Sequence, residues 1–324
     1  MSNEKNKVMT LHDAVEKYIH SGDHIVLGGF VTHRRPVAVA HEIIRQGIKD
    51  LVYESAGGAM DGDLLIGAGC VRILLESYMA NSGFTQVCRR MRAAIEGGTL
   101  MFEDYSLDVQ PIQYHAAALG SPYIPIKNML GSDLEDKWGL APEVWKNEPK
   151  LPNAKFLTED NPFNPGVGDK LLLLPAAPLD CAVIHAQYAA PDGTCRIEGL
   201  SAIDADVAMG AKYCIVTCEK IVHPDFLRQE PWANTLPDLV ADAVVEVPYC
   251  CHPLQCTNCY DYDGLFMRMY DQVSKTQEDF DAFVDEYIKG TANHMEYLDK
   301  LGASRLIGLQ PKPGWGYVPG LKRK

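Results

Sequence analysis

The sequence predicts an α/β fold, an open and largely parallel sheet with helices on both faces, over residues 1–324 as a single domain. Three observations predict it. Short apolar runs alternate with amphipathic stretches through the first 60 residues. Continuous apolar segments, of the kind a strand buried on both faces needs, return at 171–174, 182–185, 213–217 and 243–247. Glycines stand where these elements stop, at Gly22, Gly47 and Gly302.

Taken in order, Thr10 with Asp13 forms an imperfect capping box, Asp replacing the usual Glu or Gln, and Leu11, Val15 and Ile19 recur every four residues behind it. Residues 24–27 make a short strand that runs into Gly28-Gly29-Phe30. Pro36 suits the first turn of the next helix, whose buried stripe pairs Val39 with Ile43 and Ala40 with Ile44. Leu51-Val52-Tyr53 is the next strand. Between 139 and 169 the prolines 142, 149, 152, 162 and 165 punctuate a stretch of little periodicity, predicted to be a long excursion between two halves. Thr276 then caps a helix whose inner face is Phe280, Phe283, Val284, Tyr287 and Ile288. A last helix carries Met295, Leu298 and Leu301, and residues 306–309 read as a final strand.

A formal net charge of -13 argues against nucleic acid, whose phosphates call for clustered Lys and Arg. No run approaches the roughly 20 apolar residues of a membrane span, and residues 1–7 are polar rather than a secretory leader. Ten cysteines in such a chain read as reduced thiols, with Cys181, Cys214 and Cys218 as small core residues. The expected compartment is the cytoplasm.

The segment 22–36 carries the clearest local signal. A strand ending in two glycines lets backbone approach a ligand at the carboxyl edge of the sheet. Arg34 and Arg35 lie just before a helix, where the dipole disfavours cations. They are either two solvated arginines on a tight turn or a site for an anion.

Gly28-Gly29-Phe30 before Pro36 resembles the signature of the α subunits of class I (family I) CoA-transferases. The resemblance continues through Ala80-Asn81-Ser82-Gly83, Arg89-Arg90, Glu103-Asp104-Tyr105-Ser106 and the run His115 to Gly120. It extends to His185-Ala186-Gln187, Pro191-Asp192-Gly193, Tyr260-Asp261-Tyr262-Asp263 and the stretch Val273 to Asp281, covering nearly the whole chain. One departure is Arg34, two residues before the proline, where the broader signature often has glycine. That departure fits the glutaconate-like branch better than the acetoacetate and succinate enzymes.

The resemblance implies a CoA-transferase fold and partnership with a homologous β subunit, the active site lying between the two. It implies CoA transfer from an acyl-CoA, such as acetyl-CoA or glutaconyl-CoA, to a small dicarboxylic acid such as glutaconate. CoA is substrate, and neither cofactor nor metal is called for. The nucleophilic glutamate belongs to the β subunit, so no catalytic residue is expected in this chain. Its substrate-facing candidates are Gly28, Gly29, Phe30, Arg34, Asn81, Ser82, Arg89, Arg90 and Asp104. Asn81 and Ser82 are either an Asn-Ser-Gly turn or oxyanion donors. Arg89 and Arg90 are either a solvated helix face or a clamp for a distal carboxylate.

Two carboxylates are fallback candidates. Glu54 follows a buried strand in a setting like that of the partner's catalytic glutamate. Glu103 lies about where a related ring-opening branch, a hydrolase or lyase on CoA thioesters, places its base; its plainer role is a helix-start carboxylate. A further alternative is a non-catalytic metal-binding protein. Cys251, Cys256 and Cys259 have the C-x4-C-x2-C spacing of a plant-type iron–sulfur site, but no fourth cysteine follows. With His252 they could instead make a zinc site. The preferred expectation is a loop with incidental thiols.

Overall fold

The computed structural model describes residues 6–321. The first five residues of the polar N-terminal segment therefore lie outside the described residues. Strands β1 (His24–Leu27), β2 (Leu51–Ser55), β3 (Val71–Glu76) and β4 (Met101–Asp104) form in chain order. They are followed by β5 (Tyr123–Ile126), β6 (Leu157–Asp160), β7 (Lys170–Pro175), β8 (Cys181–Ala189), β9 (Cys195–Arg196), β10 (Tyr213–Ile221) and β11 (Ala243–Glu246). The main sheet runs β11-β10-β8-β1-β2-β3-β4, every neighbour parallel, with the short β9 antiparallel to β8. The chain winds outward from β1 to β4, returns, and winds outward again from β8 to β11.

Both faces of the sheet are covered, as parallel sheets require. Ile25 and Leu27 of β1 pack toward the helices Leu11–Tyr18, Val37–Arg45 and Met60–Gly67, in a core that includes Val15, Ile43 and Leu64. Val26 faces the other way, with Ala182, Ile184, Val207 and Tyr114, against the helices Asp204–Gly210 and Gln110–Ala118. The predicted caps form: Thr10 accepts from the Asp13 N–H, Thr276 accepts from the Asp279 N–H, and Gly302 takes φ 86° after the helix His294–Leu301.

Two expectations are corrected. Residues 171–174 are a strand, but β7 belongs to a separate three-stranded antiparallel sheet, β5-β7-β6. The prolines of the excursion interrupt that sheet's connections without abolishing it. Trp145, Phe156, Leu172 and Leu174 pack it onto the β2–β3 end of the main sheet through Val52, Ile73 and Leu75. Residues 306–309 lie in a helix, Ala303–Leu309, not a strand. The outer sheet edge is already occupied: Val8 bridges Val244, and the Met9 N–H donates to the Val244 carbonyl at 3.0 Å. Of that segment Leu309 is buried, while Ile307 is 64% exposed, which is helical rather than strand patterning.

Candidate active site at the carboxyl edge of the sheet

Winding reverses between β1 and β8, the place where open α/β sheets bind ligands beyond their carboxyl ends. Here the chain fills that crevice itself. The Arg34 guanidinium pairs with Asp204 at 2.7 Å and donates to the carbonyls of His185 (2.6 Å) and Leu200 (2.5 Å). Asp204 also accepts from the Gly29 N–H at 2.9 Å. A Cβ on Gly28 would stand 2.6 Å from an Asp204 carboxylate oxygen, so the glycine admits a side chain of this chain rather than a ligand. Gly29, at φ +78°, packs against the His33 and Arg34 backbone. Arg35 is equally committed, to Asp61 at 2.6 Å and the Tyr53 hydroxyl at 2.5 Å. The anions expected near Arg34 and Arg35 are Asp204 and Asp61. Phe30 remains at the edge, half-buried, its ring over Gly57, where a Cβ would meet it at 2.9 Å.

Three strand ends line up on the other half of the edge. Ser55 is in register with Glu76, and Glu76 with Asp104, so the three side chains share one face. Their predecessors Glu54, Leu75 and Glu103 face the opposite way. Glu54 is buried and bonded to His24 Nε2 at 2.8 Å, with the Gln110 amide donating at 3.3 Å. Glu103 is fully buried, paired with Lys155 at 2.8 Å, and accepts from the Leu140 N–H at 3.0 Å. It stands in β4 rather than at a helix start, and it anchors the small sheet. Both fallback carboxylates are thus internal.

Beyond β3 the chain makes the Asn-Ser-Gly turn. Buried side-chain polar atoms rarely lack a hydrogen bond. Among the described residues four that do so fall within this one segment: Glu76 Oε2, Ser77 Oγ, Asn81 Oδ1 and Thr85 Oγ1. Ser82 is at the surface, its hydroxyl 3.0 Å from that of Tyr78. A groove of about 420 Å³ is lined by Tyr78, Ser82, Gly83, Phe84, Thr85 and Gln86. Burial, with Asp104 and Asp63 nearby, pushes the Glu76 carboxyl up to about 8, so it is largely the neutral acid at pH 7. Burial also raises Asp104, against the pull of Lys155.

Arg89 and Arg90 do not reach this edge. Arg89 forms a two-pronged pair with Asp271 at 2.8 and 3.1 Å. Arg90 donates to the Ser274 and Lys275 carbonyls at 2.7 and 2.8 Å. They tie the helix Arg89–Glu96 to the C-terminal helices.

The cysteine stretch closes over the β8–β10 end. His252 does not meet the thiols: its ring nitrogens lie 2.7 Å from the Tyr297 hydroxyl and 3.0 Å from Asp263. The donor set that does converge is His185, Glu219 and Cys256, with atoms within 4.8 Å of one another. Two of its members, His185 and Glu219, pair with each other. His185 Nε2 is 2.9 Å from Glu219, which also accepts from the Tyr260 hydroxyl at 2.8 Å and the Tyr249 N–H at 2.9 Å. Despite its burial, His185 is raised to about 10 by Cys250 and Glu219.

Sequence reasoning missed Asp204, Lys155 and Glu76. For Glu76 a signal existed: Leu74-Leu75-Glu76 ends an apolar run in an acid, the same pattern that singled out Glu54. No comparable signal marked Asp204 or Lys155, whose partners lie 170 and 52 residues away in the chain.

Fold and edge together define an open, doubly wound α/β protein with its candidate site at the carboxyl ends of the strands. Residues 8–247 match the family model of the coenzyme A transferases, and the chain belongs to that family. More particularly, it is 52% identical to the A-subunit of glutaconate CoA-transferase from Acidaminococcus fermentans, over 96% of this chain and 97% of that one. It is 36% identical to the A-subunit of 3-oxoadipate CoA-transferase from Pseudomonas knackmussii, over 92% of this chain and 99% of that one. The crystal structure of the Acidaminococcus glutaconate enzyme superposes with a TM-score of 0.93, covering 96% of this chain and 98% of that one. No helix among the described residues is long and apolar enough to cross a membrane.

Proposed function

We propose that this chain is the α subunit of an enzyme that moves CoA from an acyl-CoA to a small dicarboxylic acid of the glutaconate type. The single observation that carries the reading is the 52% identity to the glutaconate CoA-transferase polypeptide along 96% of the chain. In this reading a homologous β subunit supplies the nucleophile. Its glutamate carboxylate attacks the thioester carbonyl and expels CoA thiolate, leaving a mixed anhydride. The thiolate attacks the glutamyl carbonyl, releasing the first acid and leaving a glutamyl-CoA thioester, and the acceptor carboxylate reverses both steps. No proton is consumed. The geometry of this chain is consistent with a supporting role, since Glu54 and Glu103 are both held in internal pairs. The segment 76–86, with its unpartnered polar atoms, is the part of the site this chain contributes. Arg34, Arg89 and Arg90 give way to it as substrate-facing candidates.

The test is to expose the complex with its β partner to glutaconyl-CoA and weigh both subunits intact. The expected result is a CoA adduct on the partner alone. An adduct on this chain would move the nucleophile here, with Glu54 the first residue to replace. Thioester consumed with neither subunit gaining mass would overturn the transferase in favour of a hydrolase.

A further inference from the structure

Arg89 and Arg90 are the sequence's candidates for the distal carboxylate of a dicarboxylic acid, Arg34 and Arg35 for an anion of any kind, and every one has an internal partner. Arg34 is bound to Asp204, Arg35 to Asp61, Arg89 to Asp271, and Arg90 to backbone carbonyls. At the ends of β2, β3 and β4 the side chains in register are a hydroxyl and two acids, Ser55, Glu76 and Asp104. A carboxylate arriving at this edge meets two acids, and the base beside them, Arg35, which donates to Ser55 at 3.2 Å, is already paired with Asp61. Two carboxyl groups bind one another only when they share a proton.

Glu76 is the group able to hold that proton. Its side chain is 5% exposed, and Oε2 is buried with no hydrogen-bond partner among the described residues. Leaving a buried polar atom so is costly unless a further molecule completes it. Asn81, five residues on and 3% exposed, has its amide oxygen in the same condition, an independent sign that the edge is completed from outside this chain. We infer that Glu76 is the specificity-determining residue of the acceptor site, donating its carboxyl proton in a hydrogen bond to the distal carboxylate of a dicarboxylic acid. The inference rests on the CoA-transferase reading and names the group that reads its substrate class. An acid donor selects by charge and by pH together: it binds a dicarboxylate while it keeps its proton and repels it afterwards.

Burial is the largest cause that holds the proton on Glu76. Asp104 on β4 and Asp63 on the helix Met60–Gly67 add to it, Arg35 just before Val37–Arg45 opposes it, and burial raises the Cys88 thiol beside it. Together they push the Glu76 carboxyl up to about 8.

The experiment uses the complex with its β partner, acetyl-CoA as donor, and two acceptors, glutaconate and crotonate, which lacks the distal carboxylate. Glu76→Ala is expected to lower the ratio of kcat/KM for glutaconate over crotonate by about tenfold or more, since a hydrogen bond to a charged group is lost. In the wild type KM for glutaconate rises between pH 7.5 and 9 while that for crotonate does not. Glu76→Gln keeps a donor of the same shape and flattens the glutaconate profile. A ratio unchanged in Glu76→Ala, or a glutaconate profile that Glu76→Gln leaves as steep as before, overturns the inference. So does loss of the β partner from either variant on gel filtration, which would make Glu76 an interface group instead. Absence of CoA transfer in the wild type would sink the parent reading, a result distinct from all of these.

Discussion

The two halves of the sheet's carboxyl edge end in opposite states. At β1 and β8 the double glycine, Arg34 and Asp204 interlock, and the crevice the winding creates is filled by an ion pair whose side chains are 1% and 0% exposed. At β2, β3 and β4 the strand-end acids lead into a turn, and across residues 76–85 four buried polar atoms have no partner among the described residues. One half is a lock and the other a surface waiting on a second molecule. The difference teaches that a topological switch point locates a crevice, not its occupant. Which half is left for chemistry depends on which side chains the fold can satisfy internally.

The sharpest way to break the comparison is to open the lock. Asp204→Ala leaves the Arg34 guanidinium buried and uncompensated, which costs about 3–5 kcal/mol. Urea unfolding should show a midpoint lowered accordingly. A loss under about 1 kcal/mol, the range of an exposed pair, would mean that the β1–β8 crevice is open to solvent and belongs to the site after all. Gly28→Ala applies a smaller wedge to the same joint. Its methyl would sit 2.6 Å from Asp204 and 3.0 Å from Ile184, so overpacking of about 1–3 kcal/mol is expected. A ligand-binding glycine would behave differently, losing affinity for CoA substrates with its stability intact.

The contrast also explains what could be read in advance. Helices and parallel strands were legible because their information is local: Thr10 and Thr276 as caps, Gly302 as a stop, unbroken apolar runs for β8, β10 and β11. The antiparallel sheet was not, because its pairing joins β5 and β7 across a proline-rich span whose own periodicity is weak. Site reasoning failed by the same rule. A basic pair reads as an anion site from local sequence alone, while the acids that neutralise Arg34 and Arg89 stand 170 and 182 residues downstream. His252 was the histidine adjacent to the thiols in sequence, yet His185, arriving from β8, is the one adjacent in space. Asn81 and Ser82 were placed correctly at a strand-end turn, since a turn is written in its own residues.

The smallest effect sharpens the open half. Glu76 keeps its proton in the fold up to about pH 8 but releases it near its ordinary value of 4.5 when unfolded. Between those values the native state binds the extra proton, so this residue's contribution to stability falls as pH rises, by at most about 1.4 kcal/mol per unit, and levels off above pH 8. Asp63, raised by burial to about 6, and His185, raised to about 10, slope the same way over parts of this window. The quantity to measure is therefore the difference between wild type and Glu76→Gln in unfolding free energy, taken at intervals from pH 6.5 to 8.5. The variant should gain on the wild type up to pH 8 and then run parallel to it. A difference that stays flat would mean Glu76 is already ionised in the fold, and the open half would then carry a charge that some partner within the chain satisfies.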